Sequence, residues 1–420
     1  MKIMYLTWGE TPRTYGVFGS QVIGQFVETK QKNPNDVYLF VSAVPLIHSG
    51  LIREKVGYFD EIEKVKKALN GINFVWIPIF ISQNFVNASK KTFNWMFFGA
   101  IRRFKYLIEE FEPDIVHCRS YMAAWAALQV RSKYGLDYRI IFDARGLYPE
   151  EVALKNGYQE NNQDYKFLKE IERVLLEKSD VTIAVSDTMA RHFRGLNAKR
   201  VETIYLSASS EKLRVYRDND ERVLKPINFC YVGALSEDTW HKISSLFELF
   251  SRLKRIFADS TLTIVTTSNH NSIRSAFSTF SSNDITITSS TSLSVLKKYL
   301  SAADFGLMPY FSPENSREEL LADMVMAVKT AEYICAGLPV IVNKCCGGVA
   351  FLVKKYNMGI VYDPKKLSDL NAAEIELLRS SGEFCNEISE KARLLFDYKV
   401  HADKYSWLYR DLININSARH

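Results

Sequence analysis

The segment 326–348 combines ionisable residues with clear helix signals. It reads MAVKTAEYICAGLPVIVNKCCGG and places Lys329 three residues before Glu332. This spacing puts a cation and a carboxylate on one face of a helix that ends at Gly337 and leads into a buried strand. The amides and dipole at the start of such a helix suit a diphosphate. Taken alone, the pattern fits a diphosphate site and a surface ion pair equally well.

Further polar residues follow apolar runs in the first half of the chain. His117 and Arg119 stand at the end of one run, and Asp143, Arg145 and Glu150 follow the next. A histidine at a strand end either hydrogen-bonds a ligand or is structural. The guanidinium of Arg145 either pairs with Asp143 or binds a phosphate.

A loop at 8–21 joins the first predicted strand to the first predicted helix. Gly16 and Gly19 would let the backbone approach a ligand closely, and Ser20 could cap the helix that follows. The spacing is not GxGxxG, so a nicotinamide cofactor is not indicated. The alternative for this loop is a flexible turn without a ligand.

The elements that position these residues follow from the alternation of short apolar runs with helical patterns, which predicts βαβ units and parallel sheets. The predicted strands cover 2–7, 37–44, 73–79, 114–118, 138–144 and 180–186, then 227–233, 261–267, 284–288, 304–310 and 339–343. Ligands of such sheets bind beyond the carboxyl ends of the strands. Two such edges facing one another would form one deep cleft.

The two series of strands predict two domains. The first covers 1–206 and is completed by a C-terminal helix at 401–418, and the second covers 227–400. Between them, 207–226 is polar, charged and without periodicity, which is typical of a linker. The fold class expected from this organisation is α/β, with two Rossmann-like domains facing each other across a cleft.

Two other segments admit two interpretations each. The predicted helix at 92–111 and the lysines just before it mix aromatic with basic residues, which suits either a membrane surface or a core helix with a basic outer face. The charged segment 312–323 is either a mobile lid or a solvated loop.

The segment 326–348 resembles the C-terminal signature of the family 4 glycosyltransferases, a retaining family of the GT-B fold. The matching residues are Lys329, Glu332, Tyr333, Gly337, Pro339 and Val340. Other stretches are similar to family segments in the same order: 114–121, 142–151, 180–189, 231–235 and 304–310. The resemblance extends over roughly residues 1–415.

The resemblance implies roles for individual residues. Glu332 would hold the donor ribose, with Gly233 and Tyr333 also at the donor, and Lys329 or Lys242 would lie near the diphosphate. The catalytic set would be His117, Lys329 and Glu332. The acceptor or its phosphate would meet the first-domain residues Gly16, Gly19, Arg119, Asp143, Arg145 and Glu150.

The chain departs from the family pattern at two positions. The motif of two glutamates separated by seven residues lacks its first glutamate, because Met324 stands there. An arginine expected after the glycine of the second domain's first strand is Ala234. These departures put the donor-sugar contacts in doubt and leave room for an inactive member.

The reaction implied is transfer of a sugar from a nucleotide diphosphate sugar, with retention, to a glycan or lipid-linked acceptor in bacterial surface polysaccharide synthesis, such as lipopolysaccharide or capsule. No second carboxylate is placed as a nucleophile, so a front-face route is expected rather than double displacement. We expect no metal. We also expect no cofactor, since the nucleotide sugar is a substrate.

Composition bounds the remaining possibilities. The chain of 420 residues is 47% apolar and 24% charged with a net charge of +6, which fits a soluble protein and gives little support for nucleic-acid binding. Six cysteines without a CxxC pair are typical of a reducing compartment. The N-terminus lacks a signal-peptide pattern, and apolar runs fall short of the ~18 residues of a membrane span. A cytoplasmic protein is expected, with the inner face of the membrane as an alternative site.

Three rival functions stay open at this point. A nucleotide-sugar epimerase can share the fold, and would turn over the donor without an acceptor. A catalytically silent scaffold that only binds nucleotide is compatible with Met324 and Ala234. A membrane-surface binding protein would depend on the segment 90–111.

Overall fold

A computed structural model describes residues 1–14, 16–46, 55–80, 90–217, 225–236, 240–290 and 292–417. The chain divides into two compact units. Unit 1 comprises Met1–Tyr205 and His401–His420, and unit 2 comprises Leu206–Val400.

Unit 1 is built on a seven-stranded parallel sheet with the order β3-β2-β1-β4-β5-β6-β7. The strands are β1 Lys2–Trp8, β2 Val37–Pro45, β3 Asn73–Ile79, β4 Ile115–Arg119, β5 Arg139–Asp143, β6 Val181–Ala184 and β7 Val201–Thr203. Strands β1, β4, β5 and β6 are almost entirely buried, as expected of a parallel sheet covered on both faces. Polar residues at the carboxyl ends of these strands therefore stand out.

Helices connect these strands. They are α1 Gly16–Phe18, a π-helical turn Gly19–Gly24, α2 Gln25–Lys32, α3 Lys55–Ala68, α4 Lys90–Trp95, α5 Ala100–Phe111, α6 Ser120–Tyr134, α7 Tyr148–Asn156, α8 Gln163–Lys178 and α9 Asp187–Gly195. The single helix predicted over 92–111 is thus two helices. They are separated where Gly99 adopts a φ of 74°, a left-handed conformation that interrupts a helix.

Unit 2 contains a six-stranded parallel sheet with the order β10-β9-β8-β11-β12-β13. Its strands are β8 Asn228–Val232, β9 Thr261–Val265, β10 Ile285–Thr288, β11 Phe305–Met308, β12 Val340–Asn343 and β13 Gly359–Tyr362. Its helices are α10 Ser210–Leu213, α11 Ile243–Ile256, α12 His270–Ala276, α13 Leu293–Ala302, α14 Ser316–Met324, α15 Val328–Cys335, α16 Gly347–Tyr356, a 3-10 helix Pro364–Asp369, α17 Ala372–Ser380 and α18 Gly382–Phe396. The prediction of an α/β fold with two parallel sheets is confirmed.

The last helix, α19 Tyr398–Ser417, returns the chain to unit 1. Its apolar side joins the core of the first sheet through Tyr405, Leu408, Tyr409 and Leu412. At its outer side Arg200 is paired with Asp411. The core of unit 1 is therefore completed by the far end of the chain.

The segment predicted as a linker belongs to unit 2 where it is described. Leu213 is fully buried, and the buried Arg217 guanidinium donates to the carbonyl oxygens of Ala303 at 2.8 Å and Leu300 at 2.9 Å. The backbone N–H of Ser210 donates to Asp397 at 3.1 Å. The polar composition that suggested a linker reflects these capping and carbonyl contacts.

The charged segment 312–323 also differs from both interpretations, since most of it forms helix α14. The side chain of Asn315 caps this helix by accepting a hydrogen bond from the N–H of Glu318 at 3.0 Å. In the described part of the chain, no helix is both long and apolar enough to cross a membrane.

Candidate active site

Lys329 lies in the first turn of α15, at the carboxyl edge of the second sheet. Its side chain is largely buried, and Nζ donates a hydrogen bond to the Tyr231 hydroxyl at 2.8 Å. The same ammonium lies 4.1 Å from the centroid of the Tyr231 ring, a cation–π distance. Of the two alternatives for this segment, the surface ion pair does not fit Lys329, which faces the interior of unit 2.

The electrostatics of this edge are dominated by burial. Burial lowers the pKa of Lys329 to about 7, although Glu332 and Cys346 oppose the shift. Burial likewise raises the pKa of Glu332 to about 6, and the Lys329 ammonium opposes that shift. Each group thus stabilises the charged form of the other, but too weakly to offset desolvation. An arriving anion would complete the compensation for Lys329.

Gly233 follows β8 and makes room for the ammonium. Its φ is 123°, and a Cβ placed there would lie 2.9 Å from Lys329 Nζ. Its N–H donates to the Val265 carbonyl at 2.9 Å, which fixes the backbone. A side chain at this positive φ would be strained, and its Cβ would displace the end of the Lys329 side chain, so Gly233 allows the ammonium to lie directly beside the backbone.

Tyr333 is not at the ligand edge, which corrects its predicted place at the donor. Its side chain is fully buried, and its hydroxyl accepts a hydrogen bond from the N–H of Val232 at 2.7 Å. Its ring packs so closely on Gly306 that a Cβ there would lie 2.5 Å from it. One residue along a helix turns the side chain by about 100°, so Tyr333 points into the core while Glu332 is partly exposed. The role of Tyr333 is to hold the end of β8.

Lys242 precedes α11, and its ammonium lies 5.7 Å from the Phe311 ring centroid. Its buried neighbour His241 packs on Tyr310, with ring centroids 4.3 Å apart. Burial, with a smaller contribution from Lys329, holds the pKa of His241 well below its usual range. The residue next to Lys329 in this loop is therefore His241, which the sequence analysis did not single out.

Met324 and Ala234 are the two residues that depart from the family pattern, and they differ in exposure. Met324 is buried at the end of α14. Ala234 is exposed, and its carbonyl oxygen accepts a hydrogen bond from the Tyr231 hydroxyl at 2.5 Å. Tyr231 thus links the loop after β8 to Lys329.

The carboxyl edge of the first sheet gathers the other predicted residues. Strand register places Arg119 of β4 beside Asp143 of β5. Arg145 Nη2 lies 2.6 Å from Asp143 Oδ2, and Arg119 Nε lies 3.1 Å from both carboxylate oxygens of Glu10. Both guanidiniums are therefore paired with carboxylates, and the pKa of Asp143 is lowered by Arg145 and His117 against the effect of burial.

His117 is enclosed rather than presented to a ligand, with 1% of its surface exposed. Its Nδ1 shares a hydrogen bond with the Tyr409 hydroxyl at 2.7 Å, and its Nε2 lies 3.7 Å from Asp143 Oδ2. Tyr5 and Tyr405 flank the ring, at 4.7 and 5.2 Å between centroids. Burial lowers the pKa of His117, against the effect of Asp143, and the ring connects β4 to α19. Direct contact with a transferred sugar would need this packing to open.

A pocket of about 240 Å³ lies at this edge of unit 1 and is called the β4–β5 pocket below. It is lined by Glu10, Ser120, Tyr121, Ala144, Arg145, Gly146, Tyr148, Glu151, Val152 and Lys155. Arg145 and Ser120 both have left-handed backbones, with φ of 63° and 69°. Such strain in non-glycine residues often accompanies functional sites.

Glu150, predicted at the acceptor, does not line this pocket. Its buried carboxylate accepts a hydrogen bond from the Tyr165 hydroxyl at 2.7 Å and lies 3.2 Å from Lys169 Nζ. The next residue along α7, Glu151, lines the pocket instead. The side chain of Glu151 is exposed to the pocket, whose walls surround it with protein. The resulting desolvation raises the pKa of Glu151.

Gly16 and Gly19 shape the loop after β1 but do not line the β4–β5 pocket. A Cβ on Gly19 would lie 2.3 Å from the Thr14 carbonyl oxygen. Thr14 is fixed in turn, because its N–H and hydroxyl donate to Glu61 at 3.0 and 2.8 Å. Close packing of this turn, rather than a ligand, explains the glycine at 19.

Two family models match this chain. "Glycosyltransferase Family 4" matches residues 62–208, and "Glycosyl transferases group 1" matches residues 226–380. A comparison with curated proteins found no match.

Solved structures are similar over nearly the whole chain. A sucrose-phosphate synthase from Thermosynechococcus elongatus is 15% identical with a TM-score of 0.69, covering 99% of both chains. Anabaena HepE in complex with UDP is 12% identical with a TM-score of 0.67, covering 98% of this chain and 100% of the other. The lipopolysaccharide outer core galactosyltransferase WaaB is 16% identical with a TM-score of 0.62, covering all of both chains. With the two parallel sheets, these matches confirm the predicted GT-B fold class.

Proposed function

Because the chain belongs to the family 4 glycosyltransferases, we propose that it transfers a sugar from a nucleotide diphosphate sugar, with retention, to a glycan or lipid-linked acceptor. The observation that carries this proposal is the arrangement of Lys329, Glu332 and Gly233 at the carboxyl edge of the second sheet. The buried Lys329, whose pKa is lowered to about 7, suits a diphosphate, and the neighbouring Glu332 carboxylate suits its ribose. The glycine turn leaves space beside Lys329.

Each of these residues has a distinct task in the proposed reaction. The Lys329 ammonium neutralises the diphosphate as it leaves the anomeric carbon, and burial makes that interaction stronger than it would be in water. The Glu332 carboxylate accepts hydrogen bonds from the ribose hydroxyls. Gly233 keeps the approach to Lys329 free of a side chain.

Retention is proposed to follow the front-face route, in which the leaving diphosphate takes the proton of the acceptor hydroxyl. The new glycosidic bond then forms on the face from which the diphosphate departs. His117 acts as a positioning residue, because its enclosed ring orders β4 and α19 around Asp143. No cofactor takes part, and we propose that no metal is required.

The donor is proposed to be a uridine nucleotide sugar. HepE, which shares the fold, was solved in complexes with UDP and with UDP-glucose. The acceptor is proposed to belong to bacterial surface polysaccharide synthesis, for which the galactosyltransferase WaaB is a structural precedent.

The first test is binding of UDP, GDP, ADP and CMP and their sugar conjugates by the full chain, followed by thermal shift. A ligand at 100 times its Kd stabilises by roughly 2.7 kcal/mol. The response to one nucleotide family should disappear in Glu332→Ala and persist in Glu374→Ala, an exposed glutamate of α17 in the same unit. No response to any nucleotide would refute the proposal.

The second test is turnover, followed by NMR of the anomeric protons. A product with the donor's anomeric configuration supports retention, and the opposite configuration refutes it. Binding without turnover in any acceptor mixture would instead favour the catalytically silent scaffold. Conversion of the donor to another nucleotide sugar without an acceptor would favour the epimerase.

We further infer that the turn between α4 and α5 contacts an anionic membrane surface, from the cytoplasmic side. Trp95 and Phe98 are 58% and 76% exposed there, and Tyr106 on α5 is 62% exposed. Arg102 and Arg103, also exposed, lie between Phe98 and Tyr106 in sequence. Exposed aromatic side chains next to arginines suit the headgroup region of a bilayer.

Vesicle co-sedimentation tests this contact. Trp95→Ser with Phe98→Ser should reduce binding to vesicles containing an anionic lipid, with the melting temperature unchanged. Leu377→Ser, which removes an equally exposed apolar side chain from unit 2, is the matched control. Equal binding to neutral vesicles, or equal losses in both variants, would contradict the inference.

A further inference from the structure

The residues that line the β4–β5 pocket include polar atoms for which the described part of the chain supplies no hydrogen-bond partner. The Ser120 hydroxyl, the Tyr148 hydroxyl and Arg145 Nε are buried without a hydrogen-bond partner among the described residues. All three belong to residues that line the pocket. A buried polar group left unpaired is unfavourable, so a ligand or ordered water that bonds to these atoms is stabilised.

The charges around the pocket are balanced. Among its lining residues are two acidic side chains, Glu10 and Glu151, and two basic ones, Arg145 and Lys155. Arg145 is already paired with Asp143, at 2.6 Å. A phosphate or carboxylate would have to compete with that carboxylate and approach Glu151, so no excess of positive charge favours an anion here.

The unpaired atoms instead match hydroxyl groups. Arg145 Nε can only donate, the Ser120 and Tyr148 hydroxyls can donate or accept, and the Glu151 carboxylate accepts. A sugar hydroxyl does both, so neighbouring hydroxyls can satisfy all of these groups at once. The volume of about 240 Å³ lies just below the ~300–1,000 Å³ of typical drug-sized sites, which suits one sugar ring.

We propose that the β4–β5 pocket binds an uncharged sugar residue of the acceptor through its hydroxyls, and that Glu151 selects against phosphorylated or carboxylated sugars. This differs from the acceptor phosphate expected at Arg145 from the sequence, because Asp143 occupies that guanidinium. The inference rests on the proposed function only in assigning the bound sugar to an acceptor. Binding of the sugar itself is independent of turnover.

The experiment uses the full chain and saturation-transfer NMR with methyl glycosides of glucose, galactose and mannose, beside glucose 6-phosphate and glucuronate. At least one neutral glycoside should bind more tightly than both anions. Tyr148→Phe and Ser120→Ala should each weaken it by about 3- to 10-fold, the range for one hydrogen bond. Glu151→Gln should improve binding of the anions relative to the neutral glycosides.

A matched control separates binding from folding. Tyr148→Phe removes a hydroxyl without a partner and should not lower the melting temperature. Tyr165→Phe removes a hydroxyl bonded to Glu150 and should lower the melting temperature while leaving glycoside binding unchanged. Equal effects of the two variants on glycoside binding would overturn the proposal.

Two other outcomes would also overturn it. One is the absence of saturation transfer to every neutral glycoside, and the other is tighter binding of an anion than of the neutral glycosides by the wild-type chain. The nucleotide thermal shift, measured on the same samples, distinguishes this failure from that of the proposed function. Nucleotide binding without glycoside binding refutes the pocket assignment alone. Glycoside binding without nucleotide binding refutes the transferase function and leaves the pocket intact.

Discussion

Replacing Lys329 with methionine separates the stability and the function of its buried ammonium. Methionine keeps a long unbranched side chain and removes the ammonium, with its charge and its hydrogen bond to Tyr231. The Tyr231 hydroxyl, which accepts from Lys329 at 2.8 Å, still donates to the Ala234 carbonyl. No hydrogen-bonding group therefore loses its last partner in Lys329→Met, and the partly exposed Glu332 loses only a nearby cation. The variant should be more stable than the wild type but unable to bind the diphosphate.

The size of the stability effect follows from the pKa. Burial lowers it from 10.5 to about 7, which corresponds to at most about 5 kcal/mol at roughly 1.4 kcal/mol per pH unit. Between these pH values the unfolded chain binds the proton and the folded chain does not, so wild-type stability rises with pH. The advantage of Lys329→Met is thus greatest below about pH 7 and disappears above about pH 10.

Thermal unfolding at about pH 6.5 and about pH 9 measures this difference. Each kcal/mol should raise the midpoint by roughly 2–4 °C for a unit of this size. Lys298→Met, at an exposed position on α13, is the control and should show no pH-dependent gain. A Lys329→Met variant that melts below the wild type at about pH 6.5, gains equally at both pH values, or still binds nucleotide would refute the reasoning.

Three further perturbations have defined outcomes. Nucleotide affinity of the wild type should fall by up to about tenfold per pH unit above about pH 7, by calorimetry, because binding requires protonated Lys329; a flat profile would contradict this. Tyr409→Phe should lower stability by about 1 kcal/mol in urea unfolding, since it removes the 2.7 Å bond to His117; no change would indicate that this bond contributes nothing. Gly233→Ala should lower kcat/KM for the donor, because the new Cβ would lie 2.9 Å from Lys329 Nζ; wild-type kinetics would show that the loop yields freely.

Much of the fold was predictable because its signals are local. Apolar runs with polar ends predicted the strands, and the spacing of Lys329 and Glu332 placed both near one sheet edge. Strand register then made Arg119 and Asp143 neighbours, as expected of parallel strands whose carboxyl ends meet at one edge.

The rest depended on contacts that have no local signal. Tyr409 meets His117 across 292 residues of sequence. Glu151 rather than Glu150 lines the pocket because of the rotation of α7, which begins at Tyr148. A sequence pattern places the start of a helix only to within a residue or two, so it does not define this rotation. The segment 312–323 does carry a local signal for its helix, because Asn315 with Glu318 three residues later is a capping pattern.

Unit 1 cannot complete its fold until α19 has been synthesised, because this helix lies at the far end of the chain. The seven strands of its sheet precede residues 206–400, and α19 follows them. At roughly 5–20 residues per second, translation of the intervening unit takes about 10–40 s. During that interval the surface that later receives Tyr405, Leu408, Tyr409 and Leu412 is uncovered. Until α19 is made, the apolar surface beneath it and the His117 ring lack the side chains that cover them in the folded protein.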